Sequence, residues 1–307
     1  MSCEICKSAK VVLIRPSNKK KLCKSCFLEV FEKEVHKTII ENNLFTKNEK
    51  IAVAISGGKD STVLAYILNL LNKKYNYGVE LFLLCVDEGI TNYRDHSIET
   101  VKKNQEDYHL PLKIVSYQEY FNITMDAIVQ KIGRKSNCTY CGILRRQALE
   151  KGAQNLGVSQ IVTGHNADDM AETILMNLLR GDFNRLYRSS LIKSISNGFN
   201  IPRSKPFKFM FEKEIVMYSF YRNLHYFSTE CCYSPGAYRG HARLFIKELE
   251  RKNPRIILNI INSCDDLENL DVTNRTIFKC KKCLSFTSLK SNICKACELL
   301  NTINETL

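Results

Sequence analysis

An apolar, β-branched run, Ile51-Ala-Val-Ala-Ile55, stops at Ser56-Gly57-Gly58, and helical spacing begins at once in Thr62-Val-Leu-Ala-Tyr-Ile-Leu-Asn-Leu70. A strand that is apolar on both faces is buried on both faces, as in a parallel sheet covered by helices. The turn between the two carries Ser56-Gly-Gly-Lys-Asp-Ser61. Glycines let a backbone approach an anion closely, and a helix start aims unpaired N–H groups and partial positive charge at it. Lys59 adds a point charge, and Ser56 and Ser61 add hydroxyls. The combination predicts a phosphate cradle. It is not the Walker loop, whose two key glycines have four residues between them and are followed by Lys-Ser/Thr.

The same alternation continues. Strands are expected at Glu80 to Val86, Leu112 to Val115 and Gln160 to Thr163, and helices at Asn92 to Tyr108, Thr139 to Leu156 and Asp168 to Leu179. Such alternation implies an α/β, doubly wound parallel sheet, in which ligands bind beyond the carboxyl ends of the strands. Ser56–Ser61, Asp87–Gly89 and Gly164–Asp169 all fall at such ends, which points to one nucleotide site built from three loops. From Arg180 to about Leu270 the pattern turns largely helical, most clearly at Phe211 to Leu224 and His241 to Lys252. Arg180, Arg185, Arg188, Lys193, Arg203, Lys205 and Lys208 gather in its first part, interleaved with Phe183, Tyr187 and Phe207. Cations with aromatics suit RNA binding, while core aromatics beside a solvated basic face would look the same. A net charge of +13, from 45 Lys+Arg against 32 Asp+Glu, favours a polyanionic partner without proving one. No apolar run approaches the roughly 18 residues of a membrane span, and the first residues carry no signal region. The expected location is the cytoplasm, with no membrane partner.

Of 14 cysteines, ten fall into Cys-x-x-Cys pairs. In a reducing compartment this suggests metal or redox chemistry rather than a disulfide scaffold. Cys3-x-x-Cys6 with Cys23-x-x-Cys26, and Cys280-x-x-Cys283 with Cys294-x-x-Cys297, have the spacing of four-thiolate zinc sites. Both are expected to be structural, since four thiolates leave no open position for catalysis. A helix from about Phe27 to Asn43, with His36 as a packing or surface residue, leads out of the first. The expected organisation is residues 1–45 as an N-terminal ribbon with linker helix, 46–270 as the nucleotide domain with a helical, basic part from about 180, and 271–307 as a C-terminal ribbon ending in a frayed tail.

The remaining pair, Cys138-Thr-Tyr-Cys141, has no second pair beside it. It lies at a helix start and is followed by Arg145 and Arg146, features that lower a thiol's pKa and favour a thiolate near neutral pH. It can carry a persulfide, cycle as a disulfide, or hold corners of an iron–sulfur cluster, with Cys231 or Cys232 as a third thiol. Cys85 and Cys264 read as inert buried residues.

Taken together, the two ribbons, Ser56-Gly-Gly-Lys-Asp-Ser61, Cys138-x-x-Cys141-Gly-x-Leu-Arg-Arg146, Thr163-Gly-His-Asn-Ala-Asp-Asp169 and Thr229-Glu-Cys231 resemble a known family. This is the tRNA 2-thiouridine-synthesising group of PP-loop ATP pyrophosphatases, with a fold of the adenine nucleotide alpha hydrolase type. The segment Phe227 to Arg243 is closer to its eukaryotic and archaeal branch. The resemblance implies that ATP adenylates the C2 oxygen of a wobble uridine and that sulfur then displaces AMP. It implies that Gly57, Gly58 and Lys59 stabilise leaving pyrophosphate, that Asp60 and Asp169 hold Mg²⁺, and that adenine lies over Ala54 and Ile55 near Asp87. Arg145 would reach the α-phosphate or tune Cys141. Cys138, Cys141 and Cys231 would form the sulfur site, as a [4Fe-4S] cluster or a persulfide. Expected partners are the tRNA, a ubiquitin-like thiocarboxylate sulfur carrier, and a paralogous subunit or second copy. Among the rivals, a lysidine-forming enzyme should lack the three cysteines and a 2-thiocytidine-forming one the paired ribbons. A non-catalytic zinc-ribbon RNA-binding scaffold would not need Lys59 and Asp60, and a ribbon-type redox protein does not explain the phosphate loop.

Overall fold

A computed structural model describes residues 2–134, 136–194, 201–264, 278–287 and 289–305. The chain opens with a two-strand ribbon, β1 (Leu13–Ile14) and β2 (Lys21–Leu22), followed by α1 (Lys24–Glu41). The central region runs β3 (Lys50–Ala54), α2 (Lys59–Tyr75), β4 (Glu80–Asp87), α3 (Tyr93–Tyr108) and β5 (Leu112–Ser116). It continues through α4 (Tyr117–Phe121), α5 (Met125–Ile132), α6 (Asn137–Leu156), β6 (Gln160–Val162) and α7 (Ala167–Leu179). Then come α8 (Phe183–Ser190), β7 (Lys193–Ser194), β8 (Arg203–Ser204), α9 (Glu212–Tyr221), α10 (Tyr238–Lys252) and α11 (Ile256–Asn262). A second ribbon, β9 (Phe278–Lys279) and β10 (Phe286–Thr287), leads to α12 (Lys295–Glu305).

The sheet order is β5-β4-β3-β6-β8-β7. β3 pairs in parallel with both β4 and β6, so successive connections leave it in opposite directions and a crevice opens at its carboxyl end. The expected parallel sheet needs one correction: β7 runs antiparallel to β8 at the edge. Both strands are two residues long, too short for any period to show in the sequence.

Alternation along β3 divides the core. Ile51 and Val53 join a cluster with Cys3, Leu22, Phe27 and Phe31, while Ala52 joins one with Leu84, Leu144, Cys280 and Cys297. The N-terminal ribbon therefore packs on one face of the sheet and the C-terminal ribbon on the other. Arg15, 1% exposed, clamps the first ribbon down by bonding Glu34 of α1 and Glu214 of α9. The second ribbon rests on α6, where the Gln147 amide donates to Cys283 Sγ at 3.3 Å. Of the frayed tail expected from Ile303 to Leu307, the part as far as Glu305 is instead the end of α12, with Ile303 fully buried, and the last two residues lie outside the described ones. Cys85 and Cys264 are buried, as expected of inert thiols. His36 stacks on Tyr75, ring centroids 3.6 Å apart, which suits a packing residue. The expected boundary between 270 and 271 lies outside the described residues. Among the described residues, no helix is long and apolar enough to cross a membrane.

Candidate nucleotide site and cysteine neighbourhood

The three suspect loops meet. Gly57 has φ +83°, and a Cβ there would lie 2.5 Å from the Ser97 carbonyl oxygen of α3. Glycine is therefore required for both its dihedral and its size. The loop braces itself: the Ser61 hydroxyl donates to Gly58 O and lies 3.2 Å from Ser56 Oγ, while Ser56 N–H donates to Ser61 Oγ. Gly58 is the residue before α2, so the first N–H groups of the helix open into the crevice. A Cβ at Gly164 would stand 3.0 Å from the Asp60 backbone, which shows how closely the β6 loop approaches. Asn166 completes that contact by donating to Asp60 Oδ1 at 3.0 Å. Asp87, at the end of β4, accepts from Gly89 N–H.

Charges in this crevice are paired. Lys59 Nζ lies 2.8 Å from Glu212 and 3.1 Å from Asp60. Burial opposes its charge, but Asp60 and Glu212 outweigh it and hold the ammonium protonated. Asp60 and Asp169 are both pushed above the ordinary carboxylate range, chiefly by burial, with Asp169 adding repulsion at Asp60. Two half-desolvated carboxylates beside a phosphate cradle form a donor set that fits Mg²⁺. Ala54 is half-buried, but Ile55 is 2% exposed with its side chain in the core. The Ile55 N–H is spent on the Leu84 carbonyl at 3.0 Å, so only its own carbonyl is left for an adenine contact, which corrects that part of the expectation.

Glu88 lies in the expected Asp87–Gly89 loop without having been given a role, and Arg94 carried no signal in the sequence, yet together they join the loops. Arg94 donates to Ser56 O at 3.2 Å and pairs with buried Glu88 at 2.8 Å. Glu88 also takes Arg145 at 2.6 Å, and Arg145 reaches Cys141 Sγ at 3.2 Å. A continuous polar chain thus links phosphate loop to thiol, and it directs Arg145 to Cys141. The expectation of a lowered Cys141 pKa is corrected: burial pushes it up, against the pull of Arg145, and Glu88 adds to the rise. Cys231 is likewise raised, mainly by burial.

Cys138 is exposed, and Cys141 and Cys231 are half-buried. Cys141 and Cys231 pack against the same core cluster, and Cys138 Sγ lies 3.9 Å from the Tyr233 carbonyl. The three thiols share one neighbourhood, but among the described residues only the two ribbons bring three or more ligand atoms within 4.8 Å of one another. Those are Cys3, Cys6, Cys23 and Cys26, and Cys280, Cys283, Cys294 and Cys297. In each, the last pair opens a helix, α1 or α12, and four convergent thiols fit a closed tetrahedral metal site. Cys138, Cys141 and Cys231, with no disulfide among them, offer the all-thiol set that suits an iron–sulfur centre.

The basic stretch divides. Phe207 is fully buried, and Arg203 and Lys208 are 9% and 3% exposed, so these serve the core rather than a stacking surface. Arg180, Phe183, Arg185 and Lys193 are exposed, with Tyr187 and Arg188 half-buried. His165, in the third loop, is exposed at its outer edge, and partial desolvation with the charges of Lys205, Arg239, Arg203 and Arg146 holds its pKa below the ordinary imidazole value. Of these cations, Arg239 is paired with Asp169 and Glu172 and Arg203 with Glu150.

Residues 28–248 match the PP-loop domain family. The chain is 55% identical to cytoplasmic tRNA 2-thiolation protein 1 of Dictyostelium discoideum over 309 residues, covering 99% of this chain and 84% of that protein. It is 54% identical to the protein of the same description in Arabidopsis thaliana, over 99% of this chain and 85% of that one. Among solved structures it resembles the U34-tRNA thiolase NcsA from Methanococcus maripaludis with its [4Fe-4S] cluster, at a TM-score of 0.81 and 27% identity, covering 100% of this chain and 96% of that one. With its phosphate loop, paired ribbons and third set of thiols, the chain belongs to the PP-loop family and, within it, to the cytoplasmic tRNA 2-thiolation proteins.

Proposed function

We propose that the protein is an ATP-dependent tRNA sulfurtransferase of the cytoplasm that converts a wobble uridine to 2-thiouridine. The uridine C2 oxygen attacks the α-phosphorus of ATP and pyrophosphate leaves. A sulfur nucleophile then adds at C2 and AMP leaves with the former carbonyl oxygen. The observation that carries this reading is the polar chain Ser56–Arg94–Glu88–Arg145–Cys141, which puts phosphate chemistry and thiol chemistry in one crevice.

In this reading the N–H groups of Gly57 and Gly58, with Lys59, stabilise charge developing on pyrophosphate. Ser56 and Ser61 fix the shape of the loop. Ala54, the Ile55 backbone and Asp87 border the adenosine, and Gly164 keeps the third loop close. Asp60 and Asp169 would hold Mg²⁺, whose chemistry is to neutralise phosphate oxygens. Cys138, Cys141 and Cys231 would hold a [4Fe-4S] centre, which supplies a site for inorganic sulfur, or would present sulfur directly. Zn²⁺ in the two ribbons is structural. Residues 1–45, 46–270 and 271–307 are the working units, and the exposed cations and Phe183 of the region after 180 face tRNA. Sulfur comes from a ubiquitin-like carrier thiocarboxylate, and a paralogous subunit or second copy completes the assembly.

The test is to incubate the protein with ATP, tRNA and sulfide, then score pyrophosphate release and 2-thiouridine by nucleoside mass spectrometry. Lys59→Ala should abolish pyrophosphate release, and Cys138→Ala should abolish 2-thiouridine. Wild-type ATP turnover that yields no AMP, or that is indifferent to tRNA, refutes the reading.

A further inference from the structure

Tyr233 follows the two adjacent cysteines of the loop before α10, and nothing in its identity marks it as functional. Its hydroxyl donates to Asp126 Oδ1 of α5 at 2.7 Å. The other oxygen of Asp126 accepts from both the backbone N–H and the hydroxyl of Thr91, at 2.9 and 2.7 Å, in the loop after β4. The Tyr233 carbonyl accepts from the Asn137 amide at 3.3 Å and lies 3.9 Å from Cys138 Sγ. Tyr233 is therefore gripped through its side chain by α5 and through its backbone by the first turn of α6. A tight turn, Ser234 N–H to Cys231 O at 2.9 Å, then fixes Cys231 relative to Tyr233.

The other end of this segment is also tied. Phe227 N–H donates to the Gly57 carbonyl at 2.8 Å, and the Phe227 ring meets Tyr93 edge-on at 5.5 Å. Residues 227–233 thus form a strap from the phosphate loop to the Cys138 turn, with Cys231 near its far end. Of the two cysteines on it, Cys231 turns inward and is half-buried, while Cys232 is exposed.

We infer that Tyr233 and Asp126 are positioning residues for Cys231: their hydrogen bond docks the strap so that Cys231, and not Cys232, faces the Cys138–Cys141 pair at a fixed reach from the phosphate loop. The inference rests on the sulfur-transfer reading for its purpose but not for its geometry. Loss of one hydrogen bond to a carboxylate should lower the equilibrium constant for docking about tenfold.

The experiment uses the full chain purified without iron, treated with dibromobimane, a short reagent that fluoresces when it bridges two thiols, with the bridged peptides identified by mass spectrometry. Wild type should bridge Cys231 to Cys138 or Cys141. Tyr233→Phe and Asp126→Asn should each lower that yield severalfold, with about tenfold as the upper limit, while the affinity for a non-hydrolysable ATP analogue stays within about twofold, a split that general unfolding would not produce. Equal yields in wild type and both variants, bridging through Cys232, or no Cys231 bridge in wild type would each overturn the proposal. A Tyr233-dependent bridge in a protein that makes no 2-thiouridine would uphold the positioning and refute the sulfur-transfer reading, so the two fail separately.

Discussion

Arg145 holds a guanidinium nitrogen 3.2 Å from the sulfur of Cys141, and the thiol nonetheless titrates above its ordinary value because its burial is the larger effect. The thiolate is the reactive form, so the cation restrains a rise that burial drives. Arg145→Ala should push Cys141 higher still. Its alkylation by iodoacetamide, followed as a function of pH by peptide mass spectrometry, should shift to higher pH and slow about tenfold at pH 7. An unmoved profile would show that Arg145 does not act on this thiol.

Gly57→Ala combines two costs. A positive φ strains an alanine by about 1–2 kcal/mol, and the new methyl meets the Ser97 carbonyl at 2.5 Å, where only backbone can yield. Loss of about 2–4 kcal/mol of stability is expected, with ATP binding lost alongside. Denaturant titration and equilibrium binding check this; wild-type values for both would mean the loop is softer than described.

Arg15 pairs with Glu214, each 1% exposed, so Arg15→Ala leaves a carboxylate buried without its cation. Such half-removal costs about 3–5 kcal/mol. Replacing both by Met and Leu should recover much of that loss. If the double replacement is as unstable as the single, the pair contributes more than charge compensation.

His165 is exposed at the surface, and partial desolvation against the loops, with the charges of Lys205, Arg239, Arg203 and Arg146, holds its pKa below the ordinary value of 6.5. An unfolded chain takes up that proton near 6.5, so the unfolded state binds more protons as pH falls. His165 therefore removes a small amount of stability as pH falls below 6.5, with solvent screening at its exposed edge keeping the effect modest. His165→Asn should flatten the fall in melting temperature over that window, and an identical slope would exclude this histidine as its source.

Cys283 and Cys294 lie with sulfurs 3.5 Å apart in the second ribbon. Cys283→Ser should lower metal content by about one equivalent and leave the N-terminal site loaded. Loss of both equivalents, measured by elemental analysis, would mean that the two sites depend on one another.

Much of this architecture is written in local patterns. Ile51 to Ile55 announces a doubly covered strand, and each cysteine quartet announces its cluster, because those signals lie in short windows. Other features depend on distant partners. Phe207 among Arg203, Lys205 and Lys208 reads alike whether it faces solvent or core, and only packing decides for the core. Cys141 sits where dipole and arginines favour a thiolate, but burial is a property of the folded site. Glu88, Glu212 and Tyr233 are ordinary residues in the chain; their roles arise from Arg94 and Arg145, from Lys59, and from Asp126, each remote in sequence or brought close only by the fold.

The burial of Ile303 changes how late truncations should be judged. Helix α12 covers α6, the helix whose first turns carry Cys138 and Cys141. A premature stop codon or a protease nick inside α12 after Cys297 would unroof that helix while sparing every cysteine and every residue of the phosphate loop. Such a lesion, easily dismissed as trimming a dispensable end, belongs with the inactivating variants, and an affinity tag is better placed beyond this helix than within it.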